Sequence, residues 1–375
     1  MCGNVKLLVC TTEYHPFGSG IANVAFNVVE QLKKMGVECI ICSPTGPDIE
    51  IKSLKGYGRL GLLYFWFKVK KYFKNKVYEY DAVWLHYPLF LGSIPFKNCV
   101  ITVHSTAYGF MNENISPTYY YKLCYALEKY CLNRFKQSIF TGVSSKTCSE
   151  LEIILSHNKP VKHILNGVDT AVFKPLNFKE QIKEKFGLPI NSKVILSVGR
   201  LVDHKRPFLM IDTFNQVQQT ISEKYTLAIA GKGKLYDSLI NYVAVNTIPN
   251  VIFLGFVQDT ELPSLYSCSD FFIITSSYEG GEPTLTVAEA LSSGLPCIVS
   301  DIPNLKFIEE IKAGLVVDFD NIETAEDIIT SFISNDCVSY ANNARAYAKS
   351  ILDWKVVSER YLQVIESMVY SDEQK

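Results

Sequence analysis

The chain has 375 residues, which is too long for one ordinary hydrophobic core and long enough for two domains. Hydrophobic residues make up 48% and charged residues 20%, a composition that excludes a disordered chain. The formal net charge of -1 argues against a nucleic-acid binder with a basic body. Residues 1–170 nevertheless carry 19 Lys and Arg against 12 Asp and Glu, and the remainder carries 18 against 26. This asymmetry predicts an anionic partner for the first half.

The first half alternates strands with helices. Residues 5–11 are predicted to form a buried strand, and a Gly-containing turn at 17–20 leads into a helix over 21–35. Gly36 ends this helix and 37–42 is the next strand, so the turn lies at the carboxyl end of the first strand of a β-α-β unit. The later predictions are strands at 82–85, 99–103 and 138–143 and a helix at 118–135.

A second alternation follows a connector at 166–175. Its predicted strands are 193–198, 225–230, 251–254, 271–275 and 297–299, and its helices are 207–221, 235–245, 262–268 and 286–293. Two such runs predict an α/β protein with two parallel-sheet domains. We expect these domains at 1–170 and 171–350, followed by a segment at 351–375 with an amphipathic helix.

Several of the 11 cysteines lie in apolar runs, where buried thiols behave as small hydrophobic side chains. This usage predicts a reducing, cytoplasmic location. Cys39 and Cys42 have CxxC spacing, but they fall on a predicted strand, and we interpret them as core residues rather than zinc ligands. The apolar segment 6–10 is too short to be the hydrophobic core of a secretory signal peptide. The apolar stretch 60–67 is far shorter than the ~20 residues that span a bilayer.

Polar residues follow several predicted strands, at the edge where parallel α/β sheets bind ligands. Gly18, Ser19 and Gly20 form either a phosphate cradle at a helix N-terminus or a tight turn. Arg200 and Lys205 either neutralise a diphosphate or lie in a solvated loop. The residue types alone leave both choices open.

Glu289 lies in a predicted apolar helix after a Gly-rich acidic loop. A carboxylate there is costly unless it is paired, so a ribose-binding role is favoured over an exposed helix face. His104 follows the strand 99–103 and is either a ligand for a sugar hydroxyl or phosphate, or a structural residue. His86 and Glu13, near other strand ends, are weaker candidates.

In their order and spacing these segments resemble the retaining GT-B glycosyltransferases of family 4, over nearly the whole chain. The matching segments are the Gly-rich turn with its helix, Val143-Ser144, Asn166-Gly167-Val168-Asp169 with Phe173 and Pro175, Val198-Gly199-Arg200-Leu201 with Lys205, Ile229-Ala230-Gly231-Lys232-Gly233, Leu254-Gly255-Phe256-Val257, and Glu289-Ala290 before Gly294-Leu295-Pro296.

The resemblance implies two Rossmann-like domains that face each other across a cleft, with the C-terminal helix returning to the N-terminal domain. It implies transfer of a hexose-type sugar from a UDP- or GDP-sugar to a glycan or lipid-linked acceptor, with retention of configuration. The acceptor is expected on the first domain and the nucleotide sugar on the second. The donor is a co-substrate, and no cofactor or metal is expected if Arg200 and Lys205 carry the charge.

The resemblance also implies residue roles. His104 contacts the donor sugar, Arg200 and Lys205 bind the diphosphate, and Glu289, the second glutamate of an E-x7-E motif, binds the ribose. Further donor contacts are implied at Gly18, Ser19, Gly20, Gly231, Phe256, Val257, Pro283, Thr284 and Leu285.

The chain departs from the E-x7-E motif at its first glutamate. Gly281 lies eight residues before Glu289, and Glu279 and Glu282 flank it. Either carboxylate can take the catalytic contact to the donor sugar, and the sequence leaves this choice open.

Two basic aromatic segments, 59–76 and 118–136, suggest helices on an anionic membrane surface at its inner face. The equal alternative is a buried aromatic face with solvated lysines. Two other classes of protein fit some of the same sequence features: a GT-B sugar-nucleotide epimerase and a non-catalytic two-domain binding protein. A nicotinamide dehydrogenase is disfavoured because the first turn lacks a full GxGxxG motif. No nucleic-acid partner is expected.

Overall fold

The computed structural model describes residues 5–16, 20–54, 58–76, 79–112, 118–156 and 159–370. The chain forms two compact units. Unit 1 comprises Met1–Asn166, Gly280–Glu282 and Trp354–Lys375, and unit 2 comprises Gly167–Glu279 and Pro283–Asp353. Residues 280–282 and 354–375 thus belong to unit 1, although residues of unit 2 separate them in the sequence from residues 1–166.

Unit 1 contains a seven-stranded parallel sheet with strand order β3-β2-β1-β4-β5-β6-β7. Its strands are β1 (Lys6–Cys10), β2 (Glu38–Ser43), β3 (Ile49–Glu50), β4 (Ala82–His86), β5 (Cys99–Val103), β6 (Ser138–Gly142) and β7 (Val161–His163). The helices between them are α1 (Gly20–Lys34), α2 (Gly58–Phe73), α3 (Ala107–Asn112), α4 (Thr118–Asn133) and α5 (Ser145–Ile154).

All five residues of β4 and of β5 are buried, because helices cover both faces of a parallel sheet. Helix α2 contributes Phe65, Trp66 and Phe73 to this core, each fully buried. Cys39 and Cys42 are buried in β2.

Unit 2 contains a six-stranded parallel sheet with strand order β10-β9-β8-β11-β12-β13. Its strands are β8 (Lys193–Val198), β9 (Tyr225–Ala230), β10 (Val251–Gly255), β11 (Phe271–Ile274), β12 (Cys297–Ser300) and β13 (Gly314–Val317). Its helices are α6 (Lys179–Lys185), α7 (Pro207–Thr220), α8 (Tyr236–Val245), α9 (Leu262–Cys268), α10 (Leu285–Ser292), α11 (Phe307–Glu310), α12 (Ile322–Ser334) and α13 (Val338–Tyr347).

The strand order reverses between β8 and β11 in unit 2 and between β1 and β4 in unit 1. Doubly wound sheets bind ligands beside such a reversal, at the carboxyl ends of the strands. Both units are therefore Rossmann-like, as predicted, and each has one such edge.

The last helix, α14 (Trp354–Tyr370), packs on unit 1. Tyr361 is fully buried, with its ring 4.8 Å from that of Trp84 in β4. The return of the C-terminal helix to the first domain is confirmed. Among the described residues, no helix combines the length and the apolar character that a bilayer crossing requires.

Candidate functional site

Three glycine loops form the ligand edge of unit 2, after β8, β9 and β10. The Gly199 amide donates to the Ala230 carbonyl over 3.0 Å, and the Gly231 amide donates to the Gly255 carbonyl over 2.6 Å. Gly231 has φ +137°, and a Cβ built there would lie 1.9 Å from the Gly199 oxygen. Only glycine allows this approach. The loops therefore lie side by side and form the floor of the site.

A cavity of about 260 Å³ lies over these loops. Arg200, Lys232, Phe256, Val257 and Asp259 contribute to its lining. The Phe256 side chain is 63% exposed although it is a large apolar ring. A cavity with a free aromatic face and cations beside it suits a flat, anionic ligand.

Lys205 lies on a single turn, Asp203–Lys205, at the strand reversal between β8 and β11. The Thr275 hydroxyl after β11 donates to the Lys205 carbonyl over 2.9 Å, and the Ser277 amide donates to the His204 carbonyl over 2.8 Å. The turn is thus fixed to the neighbouring strand end. The position of the turn therefore determines which groups the Lys205 ammonium can contact.

The Lys205 ammonium forms an ion pair with the Glu279 carboxylate. The Glu279 side chain is 8% exposed and that of Lys205 is 21% exposed, so water can still reach the cation. The Glu279 carbonyl accepts a hydrogen bond of 2.7 Å from the buried Asn304 amide, which holds the acidic loop in place. Sequence reasoning missed Asn304; its place just after β12 was the available signal.

Glu282 has a different environment, within unit 1. Its carboxylate accepts hydrogen bonds from the Ser145 amide at 2.7 Å and the Ser145 hydroxyl at 2.6 Å, at the start of α5. His163 Nε2 lies 3.8 Å from the same carboxylate. Of the two acidic candidates, Glu279 is the one that meets Lys205.

Glu289 lies on α10, whose first turn is capped by Thr284. The Thr284 hydroxyl accepts from the Val287 amide over 3.3 Å, and Leu285 is the first helical residue after it. Burial raises the pKa of the Glu289 carboxyl to about 8, and the charge of Asp259 adds to the rise, whereas the Tyr266 hydroxyl opposes it. Glu289 is therefore largely protonated at neutral pH. A ligand that donates hydrogen bonds to it favours the ionised form.

His104 and His86 form a polar pair in unit 1. His86 Nδ1 lies 3.1 Å from His104 Nε2, and the rings stack with centroids 5.3 Å apart. Burial lowers the pKa of His104 to about 4 and that of His86 well below its usual value, so both rings are neutral.

The hydrogen-bond partners of His86 indicate which of the two histidine rings donates the hydrogen bond between them. Its Nε2 is buried and has no hydrogen-bond partner among the described residues. A buried orphan N–H is rarer than a buried orphan acceptor, so the His86 proton belongs on Nδ1, which then donates to His104 Nε2. His104 consequently carries its own proton on Nδ1, ready to donate to a ligand. Sequence reasoning noted His86 only as a weaker candidate and missed this pairing.

The remaining candidates are spread over both units. Gly18 and Ser19 lie outside the described residues, and Gly20 is the first residue of α1. Pro283 is buried directly before the cap of α10. Within the described part of the chain, no group of three or more His, Cys, Asp or Glu side chains has a metal-binding arrangement.

Comparisons with known proteins show the family and the fold of the chain. Residues 18–172 match the family described as "Glycosyltransferase Family 4" and residues 178–351 match "Glycosyl transferases group 1". Spore coat protein SA of Bacillus subtilis is 29% identical over 230 residues, which are 56% of this chain and 60% of that protein.

A second relative, the UDP-Gal:alpha-D-GlcNAc-diphosphoundecaprenol alpha-1,3-galactosyltransferase of Escherichia coli, is 31% identical over 187 residues, 46% of this chain and 47% of the relative. The chain thus spans about half to three fifths of the length of these relatives. Sucrose-phosphate synthase from Thermosynechococcus elongatus shares the fold, with TM-score 0.80, 17% identity and coverage of 98% of this chain and 100% of that one. The chain belongs to the GT-B glycosyltransferases of family 4.

Proposed function

We propose that this glycosyltransferase moves a hexose-type sugar from a UDP- or GDP-sugar to a glycan or lipid-linked acceptor, with retention of anomeric configuration. The observation that carries the donor assignment is the Lys205–Glu279 ion pair at the strand reversal of unit 2. It brings a cation and a carboxylate together at the edge where a Rossmann-like sheet binds nucleotides.

The donor diphosphate binds Arg200 and Lys205. Both follow β8, and charge-assisted hydrogen bonds from such cations stabilise the negative charge that grows on the leaving diphosphate. Because the two cations supply this charge, we propose that the reaction needs no metal. Glu279 orients the Lys205 ammonium and accepts a hydrogen bond from a hydroxyl of the donor sugar.

The nucleoside occupies the cavity over the glycine loops, with its base against Phe256 and its ribose near Glu289. Ribose hydroxyls donate to the Glu289 carboxylate, so donor binding releases a proton from a group whose pKa is about 8 in the free protein. Donor affinity therefore rises as pH rises towards 8.

The glycosidic bond to the diphosphate breaks first, through an oxocarbenium-like transition state, and the bonding electrons remain on the phosphate oxygen. The acceptor hydroxyl attacks from the side that the diphosphate leaves. Its proton passes to that phosphate oxygen, which balances the transfer. His104 donates from Nδ1 to a hydroxyl of the donor sugar.

Unit 1 supplies the acceptor side. Helix α2 buries one aromatic face, yet Leu60 and Phe67 are 66% and 61% exposed among basic residues. On α4, Tyr119 is 82% and Leu123 66% exposed. Exposed apolar side chains beside lysines fit an anionic membrane surface, and the E. coli relative is named for a lipid-linked acceptor. We propose peripheral binding at the inner face of the cytoplasmic membrane.

Product analysis tests the transfer. The purified chain is incubated with UDP- and GDP-sugars and with glycan or lipid-linked acceptors, and products are identified by mass and by the anomeric proton coupling in NMR. The proposal expects a product of acceptor plus one hexose with the donor's anomeric configuration, and full activity in EDTA. An inverted product, or a free altered sugar formed without acceptor, would refute it.

Vesicle co-sedimentation tests the membrane contact. The proposal expects salt-sensitive binding to vesicles that contain anionic lipid, and loss of that binding in the double variant Leu60→Ser/Phe67→Ser. Phe178→Ser is the matched control, because Phe178 is 73% exposed in unit 2. Equal sedimentation of the double variant and the control contradicts the assignment.

A further inference from the structure

A second cavity, of about 560 Å³, lies in unit 1 at the carboxyl ends of β1 and β2. Thr12 and Glu13 after β1 and Thr45 after β2 form one side. Arg59 of α2 forms another. The cavity is thus at the ligand edge of the first sheet. Among the residues that the structure describes, none of those given a donor role above belongs to its lining.

The Arg59 guanidinium is held by a partly buried relay, a chain of two hydrogen bonds that ends at the buried Glu128. Its Nη1 donates to the Tyr87 hydroxyl over 2.8 Å, and that hydroxyl donates to Glu128 Oε1 over 2.6 Å. Glu128 is fully buried and its carboxylate also accepts from the Ala107 amide, at 3.1 and 3.0 Å. A tyrosine that donates to a carboxylate is a stronger acceptor, so it fixes the guanidinium firmly.

The relay leaves most of the Arg59 donors for a ligand. A guanidinium has five N–H donors in a planar fork, and among the described residues the Tyr87 hydroxyl takes one of them. The Glu128 carboxylate lies one hydrogen bond further away, so it holds the cation without covering it. A fixed, half-buried guanidinium with free donors is suited to a phosphate group, which it can bind in a bidentate manner.

Aromatic rings line the cavity beside Arg59. Phe110 and Tyr121 have ring centroids 5.4 Å apart, and Tyr120 meets Tyr121 edge to face at 5.3 Å. Tyr120 is 41% exposed. Aromatic faces pack against the apolar C–H faces of sugar rings, and the Glu13 carboxylate in the same lining can accept from sugar hydroxyls.

We propose that this cavity is an acceptor subsite for a phosphorylated saccharide, whose phosphate binds Arg59 and whose sugar ring packs on Tyr120 and Tyr121. The basic excess of residues 1–170 agrees with an anionic ligand on this unit. The identification of the ligand as the acceptor rests on the proposed transferase function. The binding of a sugar phosphate at Arg59 does not.

The first test is binding of glucose 1-phosphate to the Arg200→Ala/Lys205→Ala variant, in which the donor phosphate contacts are removed, measured by saturation-transfer NMR titration. The subsite predicts that adding Arg59→Gln weakens binding at least tenfold and that Arg59→Lys weakens it less. Tyr87→Phe, which removes the hydroxyl that positions Arg59, weakens it a few-fold. Circular dichroism and the thermal midpoint check that each variant folds.

Lys68→Gln is the matched control, because Lys68 is on the same helix but outside this cavity. Its binding of glucose 1-phosphate should be unchanged. Equal binding by Arg59→Gln and Lys68→Gln, or equal binding of unphosphorylated glucose, overturns the subsite.

A kinetic test separates this inference from the proposed function. With a phosphorylated acceptor, Arg59→Gln should raise the acceptor KM and leave the donor KM unchanged. Normal transfer by Arg59→Gln refutes the subsite but keeps the transferase. Arg59-dependent binding of glucose 1-phosphate in a protein that transfers no sugar refutes the transferase but keeps the subsite.

Discussion

Replacing Glu289 by glutamine is predicted to stabilise the protein at alkaline pH while it weakens donor binding. The pKa of the Glu289 carboxyl rises from 4.5 to about 8 on folding, because burial penalises the charged form. The folded state therefore binds this proton more tightly than the unfolded state. Stability falls as pH rises above 4.5 and stops falling above about 8. Glutamine has no ionisable carboxyl, so the stability of the variant does not fall with pH for this reason.

The size of the effect follows from the shift. A pKa unit corresponds to about 1.4 kcal/mol, so the full shift sets an upper limit of about 5 kcal/mol. Because the side chain is partly accessible to water, we expect about 2 kcal/mol at pH 8.5. In a domain of this size that is a rise of about 4–8 °C in the thermal midpoint of unit 2.

The assay is thermal unfolding of wild type and Glu289→Gln at pH 5 and pH 8.5. The midpoints of the two proteins should differ by no more than about 3 °C at pH 5, where the loss of stability has only begun, and by about 4–8 °C at pH 8.5. Glu310→Gln, the same change on an exposed residue of α11, should shift neither midpoint. A gap between wild type and Glu289→Gln that is the same at both pH values would refute the reasoning. In wild type alone, donor affinity should also rise between pH 6 and pH 8.

Three further predictions concern the other site residues. Lys205→Ala should lower kcat at least 100-fold in a steady-state assay, because it removes a cation that stabilises the leaving diphosphate. Glu279→Gln should lower kcat less. Similar rates for Lys205→Ala and wild type contradict this prediction. Gly231→Ala should lower the thermal midpoint and weaken UDP or GDP binding in calorimetry, because its Cβ cannot fit against the neighbouring loop; unchanged binding contradicts it. In His86→Phe, the nitrogen-15 spectrum of His104 should change from a pure Nδ1–H tautomer to a mixture, and an unchanged spectrum contradicts the pairing.

Much of the fold follows from the sequence because both sheets are parallel and buried. The apolar runs of β1, β8 and β9, each next to a helix with 3.6-residue periodicity, predicted their elements to within one or two residues. The very short strands β3 and β7, at opposite edges of the first sheet, were not predicted. Two or three residues carry too little pattern to stand out from a loop.

Candidate site residues could be predicted where charged residues directly follow a strand. They could not be predicted where the role of a residue depends on contacts with residues that are distant in the sequence. Arg200 and Lys205 follow β8 and could be named as candidates from that position, although it left open whether they bind a diphosphate or lie in a solvated loop. The choice between Glu279 and Glu282 could not be made from position, because it depends on the partners Lys205 and Ser145, which are 74 and 137 residues away.

The partly buried hydrogen-bond relay behind Arg59 could not be predicted from the sequence for the same reason. Its members come from α2, from the residue after β4 and from α4, and no spacing along the chain connects them. The available sequence signal was Glu128, a single carboxylate in the basic aromatic segment 118–136, and it does not identify its own partners.

The most direct test is a donor-dependent transfer assay that compares wild type with Lys205→Ala and with Lys224→Ala, an exposed lysine of the same unit that precedes β9. Release of UDP or GDP and the mass of the glycosylated acceptor are measured in the same reaction. We predict matched amounts of nucleotide and product in wild type and Lys224→Ala, and loss of both in Lys205→Ala. Equal product from all three proteins would contradict the site, and no product with any nucleotide sugar would contradict the function.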